Sequence, residues 1–217
     1  MLIVFDLDGT LVDSIHDLAE AASDLSEHYG GARFDEGEVA LMIGDGASVL
    51  VERVLSRAGR RADEPGALAE FLAYYDARMF DTTRAYPGMA DTLRVLADTH
   101  ALALLTNKPE DASRRVLAHT GLAPFFAHMV FGDSDSGRKP APGGLRWLME
   151  RNGAAAERTL LVGDSDVDLR TARACGVRLC IARYGFGFVR IEPQSIQGED
   201  LVIDQPSDLL SVLSGPQ

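Results

Sequence analysis

The second half of the chain alternates short, unbroken apolar runs with stretches whose apolar residues recur every third or fourth position. The runs at 2–6, 101–106, 128–131, 159–163, 177–181 and 201–203 are rich in Val, Ile and Leu and predict strands. The stretches at 88–98, 110–120, 142–152, 166–175 and 206–213 predict helices. Runs without polar alternation suit strands covered on both faces. The rhythm is therefore that of an α/β fold, a doubly wound, Rossmann-like parallel sheet wrapped by helices.

Between 14 and 85 the rhythm changes to helix after helix. Ile15, Leu18, Ala19, Ala22 and Leu25 share one apolar face, and Leu68, Phe71, Leu72 and Tyr75 form another. No comparable strand run interrupts them. The expected division is a core domain of residues 1–13 and 86–217, with residues 14–85 inserted as an α-helical domain and Tyr86, Pro87 and Gly88 marking re-entry. The last four residues are expected to fray.

Composition narrows the function. The chain has 217 residues, 46% of them hydrophobic, enough for a full core plus a second smaller body. A formal net charge of -12 argues against nucleic-acid and anionic-membrane partners, since both are polyanions. An anionic substrate must then be captured locally. Cys175 and Cys180 form neither a disulfide framework nor a metal motif and read as reduced, buried hydrophobes. With no basic leader before Asp6 and no run of about 18 apolar residues, a cytoplasmic protein is expected.

In a doubly wound sheet ligands gather at the carboxyl ends of the strands, so the residues just beyond each run carry the information. They are Asp6 and Asp8 after the first, Thr106 and Asn107 after the second, Lys139 beyond the third, and Asp164 with Asp168 after the fourth. Crowded carboxylates persist only where something offsets their repulsion, and a hard cation is the natural compensator. Acids for a cation, a lysine for negative charge and Thr/Asn hydrogen bonds together meet the requirements of phosphoryl transfer. Asp6 and Asp8, two apart on a strand, lie on one side about 6–7 Å from each other, within reach of one phosphoryl group. Taken singly these residues have plainer readings: an Asp-x-Asp is commonly a solvated turn, a Lys-Pro a surface loop, and a Thr a helix cap.

Taken together, "DLDGTLVDS", "LLTNK", "GRKPAP" and "GDSDVD", in that order, resemble the four signature motifs of the haloacid dehalogenase-like phosphohydrolase superfamily. Within it the cap segment "MIGDGASVLVERVL", and less specifically "RYGFG", are similar to those of phosphoglycolate phosphatases. The resemblance implies Asp6 as nucleophile and Asp8 as acid and base. It implies Mg²⁺ held by the Asp6 carboxylate, the Asp8 carbonyl and Asp164, with Thr106 and Asn107 gripping phosphate. Lys139 would neutralise its charge and Asp168 would orient Lys139 or a metal-bound water. Ser165 and Thr10 are expected to hydrogen-bond behind these groups. Arg53, following the Gly44–Asp45–Gly46 turn, is a candidate for a substrate carboxylate; His16 is a weaker one. Asp13 is expected to cap the first cap helix, and Asp133 with Asp135 to cap a turn.

The implied activity is Mg²⁺-dependent hydrolysis of a small phosphorylated metabolite, 2-phosphoglycolate foremost, through an aspartyl phosphate, by a monomer or homodimer. A sugar phosphomutase of the same design or a pyrophosphatase stays open. A haloacid dehalogenase recedes because Asp8 is present, and a phosphonate hydrolase because residues 14–85 contain no lysine. A phosphoryl-accepting receiver module would be a compact domain without a helical insertion. Shielding an aspartyl phosphate suggests a cap that closes on hinges near 13–15 and 84–88. Gly143 and Gly144, in the first turn of a helix, are expected to loosen the loop carrying Lys139.

Overall fold

In the computed structural model, which describes residues 1–214, β1 (Leu2–Phe5) is fully buried and is flanked on both sides by parallel neighbours. The chain continues through β2 (Val12–Asp13), α1 (Ile15–His28), α2 (Glu36–Ala40), α3 (Ala47–Arg57), α4 (Ala67–Arg78) and β3 (Arg84–Ala85). It then alternates α5 (Met89–Ala97), β4 (Ala101–Leu105), α6 (Glu110–His119), β5 (His128–Val130), α7 (Gly143–Arg151) and β6 (Thr159–Gly163). It closes with α8 (Asp166–Cys175), β7 (Arg178–Ala182), β8 (Leu201–Ile203) and α9 (Asp208–Ser214). Of the expected frayed tail, 215–217 lie outside the described residues.

The six strands of the main sheet run β5-β4-β1-β6-β7-β8, all parallel. Side chains along β1 alternate between two cores. Ile3 and Phe5 face the layer of α5, α6 and α9, through Leu93, Val116 and Leu209. Leu2 and Val4 face α7 and α8, through Leu145, Leu148, Leu169 and Ala172. Because the chain winds away from β1 in both directions, the strand order reverses there, and a crevice opens beyond the carboxyl ends of β1, β4 and β6.

α1 to α4 stand over that crevice. Leu18, Ala19, Ala22 and Leu25 of α1 are buried against Val54, Phe71 and Tyr75, continuous with the first core. Leu68 and Leu72 of α4 are partly exposed instead, since the packed face of that helix is carried by Ala67, Phe71 and Tyr75. The insertion is not wholly helical: β2 and β3 pair antiparallel where the chain leaves and re-enters the sheet, Val12 opposite Ala85 and Asp13 opposite Arg84. Asp17, on α1 and almost wholly buried, fastens this stem by accepting hydrogen bonds from the backbone N–H and hydroxyl groups of Thr82 and Thr83, at 2.6–3.2 Å.

Three local expectations are corrected. Ser14, not Asp13, is the N-cap residue of α1, and Asp13 accepts a long 3.3 Å bond from the Ile15 N–H, because Asp13 belongs to the β2–β3 ladder. Asp133 accepts from the Glu110 N–H at 3.0 Å and so caps α6 across the fold. Gly143 is tightly packed: a Cβ there would lie 2.1 Å from the Ser136 carbonyl oxygen, so the missing side chain is what lets α7 start against the Lys139 loop. Cys175 and Cys180 are both free, and Cys180 is buried. No described helix is long and apolar enough to cross a membrane.

Candidate active site

Asp6 stands one residue beyond β1, where its backbone N–H still donates to the Val162 carbonyl of β6 at 2.9 Å. The last ladder bond thus fixes the first reactive residue. Its carboxylate is almost buried, and both of its partners fall on Oδ1: the Leu7 N–H at 2.7 Å and the Lys139 ammonium at 2.8 Å. No described residue partners Oδ2, and Asp6 lines the cavity. Burial pushes the Asp6 carboxyl up to about 7, the Asp168 charge adds to this, and Lys139 opposes it.

Lys139 is the hub of the floor. It reaches Asp168 Oδ1 at 2.6 Å as well as Asp6, and its own side chain is all but inaccessible. Burial alone would lower its pKa, but the charges of Asp168 and Asp6 outweigh this and hold it raised. Asp168 is oriented in turn by Ser165, whose hydroxyl donates to Oδ2 at 2.6 Å within the capping box that starts α8. A sequence feature as ordinary as a helix cap therefore sets the lysine's second partner.

Asp164, at the end of β6, accepts from the Thr10 hydroxyl at 3.2 Å and from the Gly187 N–H at 2.7 Å. Gly187 belongs to the "RYGFG" segment, and Tyr184 of the same segment donates its hydroxyl proton to the Thr10 carbonyl at 2.9 Å. This gives the segment a physical task, cupping an acid. Gly9, at φ +82, passes so close that a Cβ would meet Asp164 Oδ2 at 2.0 Å. Burial, with the charges of Asp168 and Asp6, raises the Asp164 carboxyl well above its ordinary value.

The acid cluster tests the fit of a cation. Asp6, Asp164 and Asp168 each offer an oxygen within 4.8 Å of the others, all three buried, with a single lysine ammonium to offset them. An all-oxygen, acidic donor set is what a hard divalent ion takes. Asp168, with one oxygen on Lys139 and the other on Ser165, is the most committed of the three.

The phosphate-gripping candidates divide. Thr106, buried beyond β4, lines the cavity while its hydroxyl accepts from the Lys108 N–H at 3.1 Å. Asn107 lines it too, but its carboxamide is used up: Nδ2 donates to the carbonyls of Gly44 and Lys139, and Oδ1 accepts from the Lys139 N–H. Asn107 thus ties the lysine loop and the insertion to β4. Arg53 is outside the cavity lining; its guanidinium pairs with Asp45 at 2.7 Å and donates to the Met42 carbonyl. His16 pairs with Glu36 on the surface at 2.9 Å.

Asp8 has partners that sequence reasoning missed. Its carboxylate accepts from the Ser14 hydroxyl at 2.7 Å and from Lys108, whose ammonium lies 3.1 Å from both oxygens. Lys108 also donates to the Tyr75 hydroxyl at 2.7 Å. The signal was present: Lys108 is the last letter of "LLTNK", directly after two residues already singled out. Also unforeseen is a seam between insertion and core, where Arg190 pairs with Asp45 at 3.0 Å and Asp166 at 2.9 Å and donates to the Ile43 carbonyl. Over the acids, Leu18, Ile43, Leu50, Phe71, Leu72 and Tyr75 complete a small cavity of about 70 Å³.

An acid pair after β1, a lysine joined to Asp6 of that pair and to Asp168 after β6, and a helical insertion over both make a site that can be compared with those of known proteins. The sequence profile of the haloacid dehalogenase-like hydrolases matches residues 3–182. The chain belongs to the haloacid dehalogenase-like hydrolase family. Among relatives, it is 37% identical to a phosphoglycolate phosphatase of Rhodospirillum rubrum, with 99% of this chain and 91% of that protein aligned. It is 34% identical to the phosphoglycolate phosphatase of Photobacterium profundum, over 97% of this chain and 94% of that one. A crystal structure described as a predicted phosphoglycolate phosphatase, from Haemophilus somnus, superposes with a TM-score of 0.89 at 31% identity, covering 98% and 97% of the two chains. Within the hydrolase family the chain therefore stands with the phosphoric monoester hydrolases of phosphoglycolate phosphatase type.

Proposed function

We propose that this hydrolase releases phosphate from a small phosphomonoester, 2-phosphoglycolate foremost, through an aspartyl phosphate on Asp6 in a Mg²⁺-dependent reaction. The observation that carries the reading is Asp6 itself: it lines the cavity, one carboxylate oxygen is held by Leu7 and Lys139, and the other has no partner among the described residues. In the first step Asp6 Oδ2 attacks phosphorus and the bond to the ester oxygen breaks, while Asp8 gives that oxygen a proton. In the second, Asp8 takes a proton from water as the water oxygen attacks phosphorus, and the bond from phosphorus to Asp6 breaks. Orthophosphate leaves and both acids are restored. Lys139 balances the anionic charge that gathers beside Asp6, and the Thr106 hydroxyl faces the transferred group. Asp6, Asp164 and the Asp8 carbonyl would hold Mg²⁺, with Asp168 beside them; when bound, the ion supplies charge neutralisation at the acids and the phosphoryl oxygens.

Residues 14–85 act in this reading as a cap domain on the core of 1–13 and 86–217, excluding stray water from the aspartyl phosphate. Its hinge is the β2–β3 stem. A contraction measured by solution scattering on adding Mg²⁺ with beryllofluoride is the expected result. A cytoplasmic location and a monomeric or homodimeric state belong to the same proposal, checked by cell fractionation and light scattering.

The deciding experiment is phosphate release from 2-phosphoglycolate, glucose 1-phosphate, pyrophosphate and p-nitrophenyl phosphate, with and without Mg²⁺, for wild type and Asp6→Asn. Release that needs metal, centres on 2-phosphoglycolate and vanishes in the variant is expected. Preference for pyrophosphate, or conversion of glucose 1-phosphate to an isomer without release, would move the reading to a pyrophosphatase or a phosphomutase.

A further inference from the structure

A substrate bearing a carboxylate as well as a phosphate needs a second cation, and the cavity offers few. Arg53 and Arg190 are turned to Asp45 and to main-chain carbonyls. Lys139 is held between Asp6 and Asp168. The insertion contributes apolar side chains over the acids: Leu18, Ile43, Leu50, Phe71 and Leu72. Among the described residues that line the cavity, Lys108 is the one cation.

Resting on the phosphatase reading above, we propose that Lys108, with Tyr75, receives the distal carboxylate of the substrate and so determines its selectivity. The ammonium is positioned from both halves of the molecule. Asp8 holds it from the floor at 3.1 Å, and Tyr75 of α4 holds it from the roof, through a 2.7 Å bond to the hydroxyl and with the ring centroid 4.4 Å away. It is buried, so an anion reaching it meets little competing water. It also touches Asp8, the group assigned to the ester oxygen, and in 2-phosphoglycolate a single methylene separates that oxygen from the carboxylate. A cation beside the acid that serves the leaving group is therefore beside the carboxylate as well. Tyr75 adds a second donor: its hydroxyl oxygen accepts from Lys108, and its own proton is still available to give. An ester of the same length with no anion at its far end leaves both donors without that partner.

The test compares kcat/KM for 2-phosphoglycolate and for ethyl phosphate, with Mg²⁺, in wild type, Lys108→Met, Lys108→Arg and Tyr75→Phe. A charge-assisted hydrogen bond of the usual strength predicts that the ratio of the two substrates falls by about tenfold to a hundredfold in Lys108→Met. Most of the loss is expected in KM for 2-phosphoglycolate. Lys108→Arg should restore part of the ratio. Tyr75→Phe keeps the ring and its packing and should lower the ratio several-fold, so the inference is testable even where Lys108→Met folds poorly. Equal losses on both esters would overturn it and assign Lys108 to holding Asp8 alone. A wild type that hydrolyses both esters equally well would overturn it and leave the phosphatase reading intact. A wild type with Mg²⁺ that hydrolyses no phosphomonoester would overturn the phosphatase reading, and this inference with it.

Discussion

The floor and the roof of the cavity are built from opposite materials. The floor is reached through Asp6, which lines the cavity and is backed, at the carboxyl ends of β1, β4 and β6, by Asp164, Asp168 and Lys139 in one buried, short-range cluster. The roof, from α1, α3 and α4, presents Leu18, Leu50, Phe71 and Leu72, and charge meets it at Lys108, along the Arg190 seam and where Arg115 of α6 pairs with Asp76 of α4. Buried charge is costly unless paired, so every floor group is fixed by a partner, and removing one strands another. Apolar contact is tolerant by comparison, which suits a surface that must cover a ligand and release it. The contrast teaches that chemistry is held by the sheet and access by the insertion.

The comparison breaks most sharply at Lys139. Lys139→Met leaves Asp6 and Asp168 facing each other without their cation, and such losses destabilise by about 3–5 kcal/mol. Denaturant unfolding without divalent ions should show that drop, and turnover should fall by about a hundredfold to a thousandfold, the scale set by losing one charge-stabilising group in a buried site. A Lys139→Met protein that kept its stability would mean the floor is wetter than its burial indicates.

Metal should repair what the floor leaves unbalanced. In the metal-free protein the Asp6 carboxyl stands at about 7, above its ordinary 3.8. Between those values the folded state holds more protons than the unfolded chain, so its stability falls as pH rises through that window. Mg²⁺ takes the deprotonated form and offsets the loss. At a concentration of about 100 Kd the gain is about 2.7 kcal/mol, or roughly 5–10 °C in Tm. Thermal melts at pH 8 should show it, and at pH 5 it should nearly vanish.

The stem between floor and roof gives the next effect. Burial would raise the Asp17 carboxyl, but hydrogen bonds from Thr82 and Thr83 prevail and hold it lowered. Its contribution is present above the ordinary carboxylate value and is lost as pH falls through the lowered one. Asp17→Asn should therefore cost about 1–3 kcal/mol near pH 7, and the gap to wild type should narrow below about pH 4. Paired urea titrations at the two pH values measure it.

The seam should matter least. Asp45 gathers Arg53 and Arg190 at the edge of the roof, and partly exposed pairs contribute about 0.2–1 kcal/mol. Asp45→Ala is expected to raise KM by about two- to fivefold with kcat kept, less so at high salt. Steady-state kinetics at two ionic strengths would show whether the roof is held by charge at all.

What could be known from the sequence alone follows local rules. Unbroken apolar runs dictated a parallel sheet, because a strand with no polar face must be covered twice, and the structure has all six expected strands, with ends shifted by at most a residue. Acids and a lysine after successive runs marked the carboxyl edge, where a doubly wound sheet exposes its ligands. Tertiary structure alone decided the partners. Nothing local couples Lys108 to Asp8 and Tyr75, Asn107 to Gly44, Asp17 to Thr82, or Arg190 to Asp45, since each pair is separated by tens of residues or more. Arg53, outside the cavity lining, pairs instead with Asp45 just ahead of its own helix. Periodicity reports which face of an element is buried; the direction in which a charged side chain is satisfied depends on which distant element arrives there.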